Sequence, residues 1–116
     1  MNILLADDNT MLRNLLEEFI KGLKHQVFAA EDGQQALDIF QSAEHQVDLL
    51  ITDIMMPGIN GIELARKIRD HNSQLPIIII SGYAQPDTIA QAASLNATMY
   101  EKPIDLRTLR EQIQSL

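Results

Sequence analysis

The spacing of short apolar runs constrains this chain more than any other feature. Five recur, at Ile3–Ala6, Val27–Ala30, Val47–Thr52, Pro76–Ser81 and Thr98–Glu101. Leu49-Leu50-Ile51 and Ile77-Ile78-Ile79-Ile80 are continuous rather than alternating, the pattern of strands covered on both faces at the centre of a parallel sheet. The second run, around Val27 and Ala29, reads as an edge. Between the runs, apolar residues recur at helical spacing. Leu12, Leu15, Leu16, Phe19, Ile20 and Leu23 share one face, with Asn9 or Thr10 to cap its start and Gly22 to end it. A second helix carries Ala36, Leu37, Phe40 and Ala43, and a third, capped by Asn60, carries Ile62, Ala65 and Ile68. The fourth, Pro86–Leu95, has a thin face of Ile89, Ala92, Ala93 and Leu95 and stops at Asn96 as a left-handed residue. The fifth, capped by Asp105, carries Leu106, Leu109, Ile113 and Leu116. Strand and helix therefore alternate five times. Each interval is long enough for a helical crossover, and right-handed crossovers place helices on both faces of a parallel sheet. The expectation is a doubly wound α/β sheet, one domain over residues 1–116, with no output module appended.

The chain has 116 residues, 16 of them Asp or Glu against 9 Lys or Arg, so 16 − 9 gives a net charge of −7. An acidic balance argues against a phosphate-backbone binder, and direct nucleic-acid contact is not expected. The absence of cysteine excludes disulfides, thiolate metal sites and a cysteine nucleophile. No apolar run approaches the roughly 18 residues of a membrane span, and Met1–Asp8 has no basic segment of the kind that opens a signal peptide. A cytoplasmic chain with no membrane contact is expected. His25, His45 and His71 lack ligand spacing and read as exposed. Arg13, Lys21, Lys24, Arg66, Lys67, Arg69, Arg107 and Arg110 read as solvated faces.

In open α/β sheets ligands bind outside the carboxyl ends of the strands. Asp7 and Asp8 follow the first run, Asp53 the third, Ser81 the fourth and Lys102 the fifth. A lone Asp after a strand is ordinarily a turn or cap residue. Five polar groups at one edge of four strands are harder to explain in that way. If the first, third, fourth and fifth strands lie side by side, about 5 Å apart, Asp7, Asp8 and Asp53 crowd one another, and their mutual repulsion calls for a cation. Oxygen-only donors favour a hard ion, and few protein oxygens with water suit Mg²⁺ better than Ca²⁺. The cation offsets the repulsion and leaves one carboxylate free to attack phosphorus.

Asp7-Asp8, Asp53 with Met56-Pro57-Gly58 and Gly61, Ser81-Gly82 and Tyr100-Glu101-Lys102-Pro103 occur in the order found in one family. The chain resembles the receiver (response-regulator) domain of two-component signalling, over essentially its whole length. The resemblance implies a flavodoxin-like (βα)5 fold with strand order 2-1-3-4-5. It implies that Asp53 accepts the phosphoryl group, and that Asp7, Asp8, Asp53 and the backbone carbonyl of Met55 hold Mg²⁺. It implies that Ser81 and Lys102 bind the phosphoryl oxygens, that Tyr100 turns inward when Ser81 moves, and that the Lys102–Pro103 bond is cis. Ser81 stands where Thr is frequent, Gly82 where Ala is frequent, and Asn9 rather than a carboxylate follows the acidic pair. Met55 and Tyr83 occupy places that tune phosphoryl loss, and their bulk predicts slow self-dephosphorylation.

The leading expectation is a phosphorylation-controlled binding switch rather than a substrate-turnover enzyme. A sensor histidine kinase or histidine phosphotransfer protein would donate the phosphoryl group. The surface of the fourth helix, fifth strand and fifth helix would then act on an output protein or a fused output domain, and could pair two copies as a homodimer. A Mg²⁺-dependent aspartyl phosphatase is the alternative, although Asp53-Ile54-Met55 lacks the second acid two residues on. A flavin carrier is a third reading, weakened by an aromatic content of only 4%.

Overall fold

Strands β1 (Asn2–Ala6), β2 (Gln26–Ala30), β3 (Leu49–Asp53), β4 (Ile77–Ser81) and β5 (Thr98–Glu101) alternate with helices α1 (Thr10–Gly22), α2 (Gly33–Ala43), α3 (Gly61–His71), α4 (Pro86–Ser94) and α5 (Leu106–Gln114). They are described in a computed structural model for residues 1–43, 46–82 and 85–116, with Ala43 described by its backbone alone. His45, Tyr83 and the Ala43 side chain, all named above, lie outside the described residues. The strands form one parallel sheet in the order β2-β1-β3-β4-β5, with β2 at an edge as expected.

Alternate residues of the continuous runs supply two separate cores. Leu4, Leu50, Ile77 and Ile79 pack with Phe40, Leu64, Ile68 and Ala92 under α2, α3 and α4. Ile3, Leu5, Leu49, Ile51, Ile78 and Ile80 pack with Leu16, Ile20, Leu109 and Ile113 under α1 and α5. Every residue of β3 and β4 is buried, which is why neither run can alternate with polar residues. Fully burying each such side chain contributes roughly 1.5–3 kcal/mol, enough to hold rigid the two strands that end in Asp53 and Ser81.

The helix starts agree with the sequence. The Asn9 side chain accepts from the Leu12 N–H, Asn60 and Glu63 form a reciprocal capping box, and Asp105 accepts from the Arg107 N–H. Asn96 takes the left-handed conformation expected of it, with φ 56°. Gly22 does not play that part for α1. It remains helical, and Lys24 carries the positive φ of 75° instead. Leu23 packs on the core beneath α1, and this anchor draws the turn two residues past the glycine.

Two further readings need correction. His25 is half-buried, with Nδ1 3.0 Å from the Met1 amine. Burial, and then the neighbouring positive amine, lowers its pKa from 6.5. The charged imidazole is therefore the disfavoured form in the fold. Its contribution to stability is present above pH 6.5 and is lost as the pH falls through the depressed value. An NMR titration should place the His25 midpoint below 6.5. Arg69 is also half-buried rather than solvated. Its Nε donates to the Leu95 carbonyl (3.0 Å), and Nη1 donates to those of Asn72 (3.2 Å) and Leu75 (2.6 Å). One side chain thus fastens the ends of α3 and α4 and the approach to β4. The anchorage matters for α4, where Ala92 is the one buried residue and Gln85 gives no side-chain cap. Arg69→Met is expected to lower stability by about 2 kcal/mol in urea unfolding and to speed amide exchange near Asn96 more than in β3.

Candidate functional site

All five strands run the same way, so their carboxyl ends meet at one edge. There Asp53, the last residue of β3, is only 5% exposed. Its Oδ1 accepts from the Ile54 N–H (2.7 Å), and its Oδ2 accepts from Lys102 Nζ (2.7 Å). Asp7, just past β1, is 3% exposed. Its own N–H donates to the Ala30 carbonyl (3.1 Å), and its carboxylate accepts from the Asn9 N–H (2.9 Å). Asp8 is exposed. One carboxylate oxygen from each of Asp7, Asp8 and Asp53 lies within 4.8 Å of the others. Ser81 is buried at the end of β4, next to Ile80, the register partner of Asp53. Its carbonyl accepts from the Lys102 N–H (2.8 Å), which ties the end of β5 to that of β4. The Lys102–Pro103 bond is cis. The structure thus gathers Asp7, Asp8, Asp53, Ser81 and Lys102 at one edge.

Burial is the main reason the Asp7 carboxyl titrates above its ordinary range, and the charges of Asp53 and Asp8 push it further. The Asn9 N–H and the Lys102 ammonium oppose that rise. For Lys102, burial disfavours the ammonium, but its hydrogen bond to Asp53 and the charges of Asp53, Asp7 and Asp8 prevail and raise its pKa. Lys102 is therefore an ammonium at neutral pH. One ammonium against three carboxylates leaves an excess of negative charge on oxygen donors alone, the donor set a hard divalent cation prefers. The residues present suit Mg²⁺.

The other expected residues lie around this cluster. The Met55 side chain is exposed, two residues past Asp53. Tyr100 is half-buried against the α1–α5 core, and its hydroxyl donates to Gln112 Oε1 on α5 (3.0 Å).

Three contributions escaped the sequence reading, one of them the close approach made by Gly61, which was named there only as part of the motif after Asp53. Gly61 brings α3 against the strand: its N–H donates to the Ile54 carbonyl (2.8 Å), and a Cβ there would lie 2.0 Å from the Asp53 carbonyl oxygen. Gly33 does the same for α2, where a Cβ would lie 2.3 Å from the Ile59 carbonyl oxygen. The loop beyond Asp53 is thus held between two helix starts. The only sequence signal is a glycine at the first position of each helix. The third is Arg13, read as solvated but half-buried, with Nη1 donating to the Asp7 carbonyl (2.8 Å).

Residues 3–114 match the family described as the response regulator receiver domain. The chain belongs to that family. It is 33% identical over 97% of its length to sporulation initiation phosphotransferase F of Bacillus subtilis, covering 90% of that protein. It is 39% identical over its whole length to sensor protein EvgS of Escherichia coli, of which it covers 10%. Among solved structures it superposes on the chemotaxis protein CheY4 of Vibrio cholerae with a TM-score of 0.89 and 26% identity, over 98% of this chain and 96% of that one. The flavodoxin-like order 2-1-3-4-5 holds. Receiver domains are phosphoacceptor switches of two-component signalling and use Mg²⁺ at an acidic site, and the three-carboxylate cluster is present here. Neither the geometry nor the relatives favour the phosphatase alternative. No described helix is long and apolar enough to cross a membrane.

Proposed function

We propose that Asp53 accepts a phosphoryl group from a phosphohistidine donor. The observation that carries the reading is the Asp53 carboxylate itself, buried and bonded to Lys102 at 2.7 Å while sharing its surroundings with Asp7 and Asp8. An Asp53 oxygen attacks phosphorus in line, the P–N bond of the donor breaks, and the imidazole nitrogen leaves with the electron pair to be protonated from solvent. Phosphoryl transfer depends on positioning and charge neutralisation more than on covalent help. Asp7, Asp8, Asp53 and the Met55 carbonyl would hold Mg²⁺, which would supply charge neutralisation for the transferring oxygens. Lys102 meets one oxygen of the phosphorylated side chain, and the Ser81 hydroxyl meets another.

A phosphoryl group places about 1.5 to 2 negative charges where the single charge of one carboxylate stood. The reading has Ser81 drawn toward it and the Tyr100 ring turning inward, breaking its bond to Gln112. The α4–β5–α5 surface that results acts on an output protein or fused domain, in the cytoplasm, as a monomer or a homodimer. The donor is a sensor histidine kinase or a histidine phosphotransfer protein. An apolar groove lined by Met11, Leu15, Ile104 and Leu106 opens beside Lys102, so a protein donor has a surface to rest on next to Asp53.

Incubation with a small phosphodonor and Mg²⁺, followed by intact mass measurement, tests the chemistry. The parent gains one phosphoryl group and Asp53→Asn gains none. Phosphorylation of the variant at the parent's rate overturns the assignment.

A further inference from the structure

We propose that Arg13 is a positioning residue for the divalent-cation site, acting by holding the peptide group that joins Asp7 to Asp8. The inference rests on the reading of those carboxylates as cation ligands. The Arg13 Nη1 donates to the Asp7 carbonyl oxygen at 2.8 Å, and that oxygen belongs to the Asp7–Asp8 peptide. The dihedral angles on either side of this plane set how the Asp7 and Asp8 side chains are turned relative to one another, and a bond to its oxygen limits both. Asp7 has other ties, through its own N–H to Ala30 and through its carboxylate to the Asn9 N–H. Asp8 is exposed, and among the described residues its carboxylate makes no hydrogen bond or ion pair, so its direction is set by its backbone.

Arg13 is itself well placed to act as a strut. Its N–H donates to the carbonyl of Asn9, the residue that caps α1 (2.8 Å). Among the described residues the ion pairs are Lys21–Glu17, Lys102–Asp53 and Arg107–Glu111, so Arg13 pairs with no carboxylate. Its bond to a main-chain oxygen orients the turn without neutralising a ligand. Groups that orient metal ligands in this way change metal affinity about 10- to 100-fold when removed. Loss of the Arg13 charge alone has the opposite sign, because one positive group fewer near the site strengthens cation binding. The direction of the change therefore separates positioning from simple electrostatics.

Calorimetric titration of Mg²⁺ into the full chain, with no phosphodonor present, tests the proposal. Arg13→Met should weaken binding about tenfold or more, and its metal-free amide spectrum should shift at Asp8 and Asn9 while the thermal midpoint stays cooperative. Arg13→Lys keeps the charge and one shorter donor, and should recover part of the loss. If Arg13→Met does not fold, the comparison is made with Arg13→Gln and Arg13→Lys. Equal or tighter Mg²⁺ binding by the Met or Gln variant, with the parent binding normally, overturns the positioning role. Failure of the parent to bind Mg²⁺ overturns the reading of the carboxylates on which it rests.

Discussion

Gly61→Ala is expected to lower the unfolding free energy by about 3 kcal/mol and to slow phosphorylation of Asp53 by at least about tenfold. A Cβ at this position would lie 2.0 Å from the Asp53 carbonyl oxygen, 2.8 Å from its carbonyl carbon and 2.9 Å from the Ile54 Cα. These are main-chain atoms, and no side-chain rotation can relieve the overlap. The Gly61 N–H is also bonded to the Ile54 carbonyl at 2.8 Å, so the helix start and the strand end are held together as well as pressed together. To admit a methyl group, α3 must withdraw or the Asp53–Ile54 peptide must turn. The second movement reaches the site directly, because the Ile54 N–H donates to Asp53 Oδ1 at 2.7 Å. Gly22→Ala is the control. A Cβ there meets nothing within 4 Å, and alanine in a helix is favoured over glycine by about 0.5–1 kcal/mol. Urea unfolding should therefore move in opposite directions for the two substitutions. A Gly61→Ala protein as stable as the parent would show that the loop after Asp53 yields freely and that the close approach constrains nothing.

How much of this was legible in the sequence depends on how far each interaction reaches along the chain. Ile77–Ile80 announced a strand covered on both faces because its neighbours must all be apolar, and the end of each run marked the place for Asp7, Asp53, Ser81 and Lys102. Once the sheet order was right, the cluster of carboxylates followed from strand spacing. Arg13 and Arg69 were misread because their partners are main-chain carbonyls, which every residue possesses and no pattern signals. Arg69 grips Leu95, a residue 26 positions away. Gly61 was visible as part of the motif after Asp53, whereas its approach to the Asp53 main chain depends on how α3 is seated against β3. Gly22 looked like a helix stop, but the burial of Leu23 outweighed the local preference of glycine. Local rules were thus sound wherever no distant contact competed with them.

Lys102→Met should change two measurements in opposite directions. The phosphorylation rate should fall about 10²- to 10³-fold, the usual consequence of removing one pre-positioned charge partner from a site where charge develops. Mg²⁺ binding should become tighter. In the resting fold the ammonium occupies Asp53 Oδ2 at 2.7 Å, and it is one of the influences that restrain the rise of the Asp7 pKa. Without it, three carboxylates are left with no ammonium among them, and a divalent ion meets no competitor for Asp53. The metal-free variant should also be less stable than the parent by about 2 kcal/mol, because removing one partner leaves the buried Asp53 charge unpaired, a loss moderated by the 27% exposure of the Lys102 side chain. Added Mg²⁺ should then restore stability by more than it stabilises the parent, since an ion that binds only the folded state stabilises in proportion to its affinity. Thermal unfolding across a Mg²⁺ series, beside the rate with a small phosphodonor, reads both effects. A variant that loses rate and Mg²⁺ affinity together would mean that Lys102 holds the site's shape rather than opposing the cation for Asp53, and the division of roles between ammonium and metal would have to be redrawn.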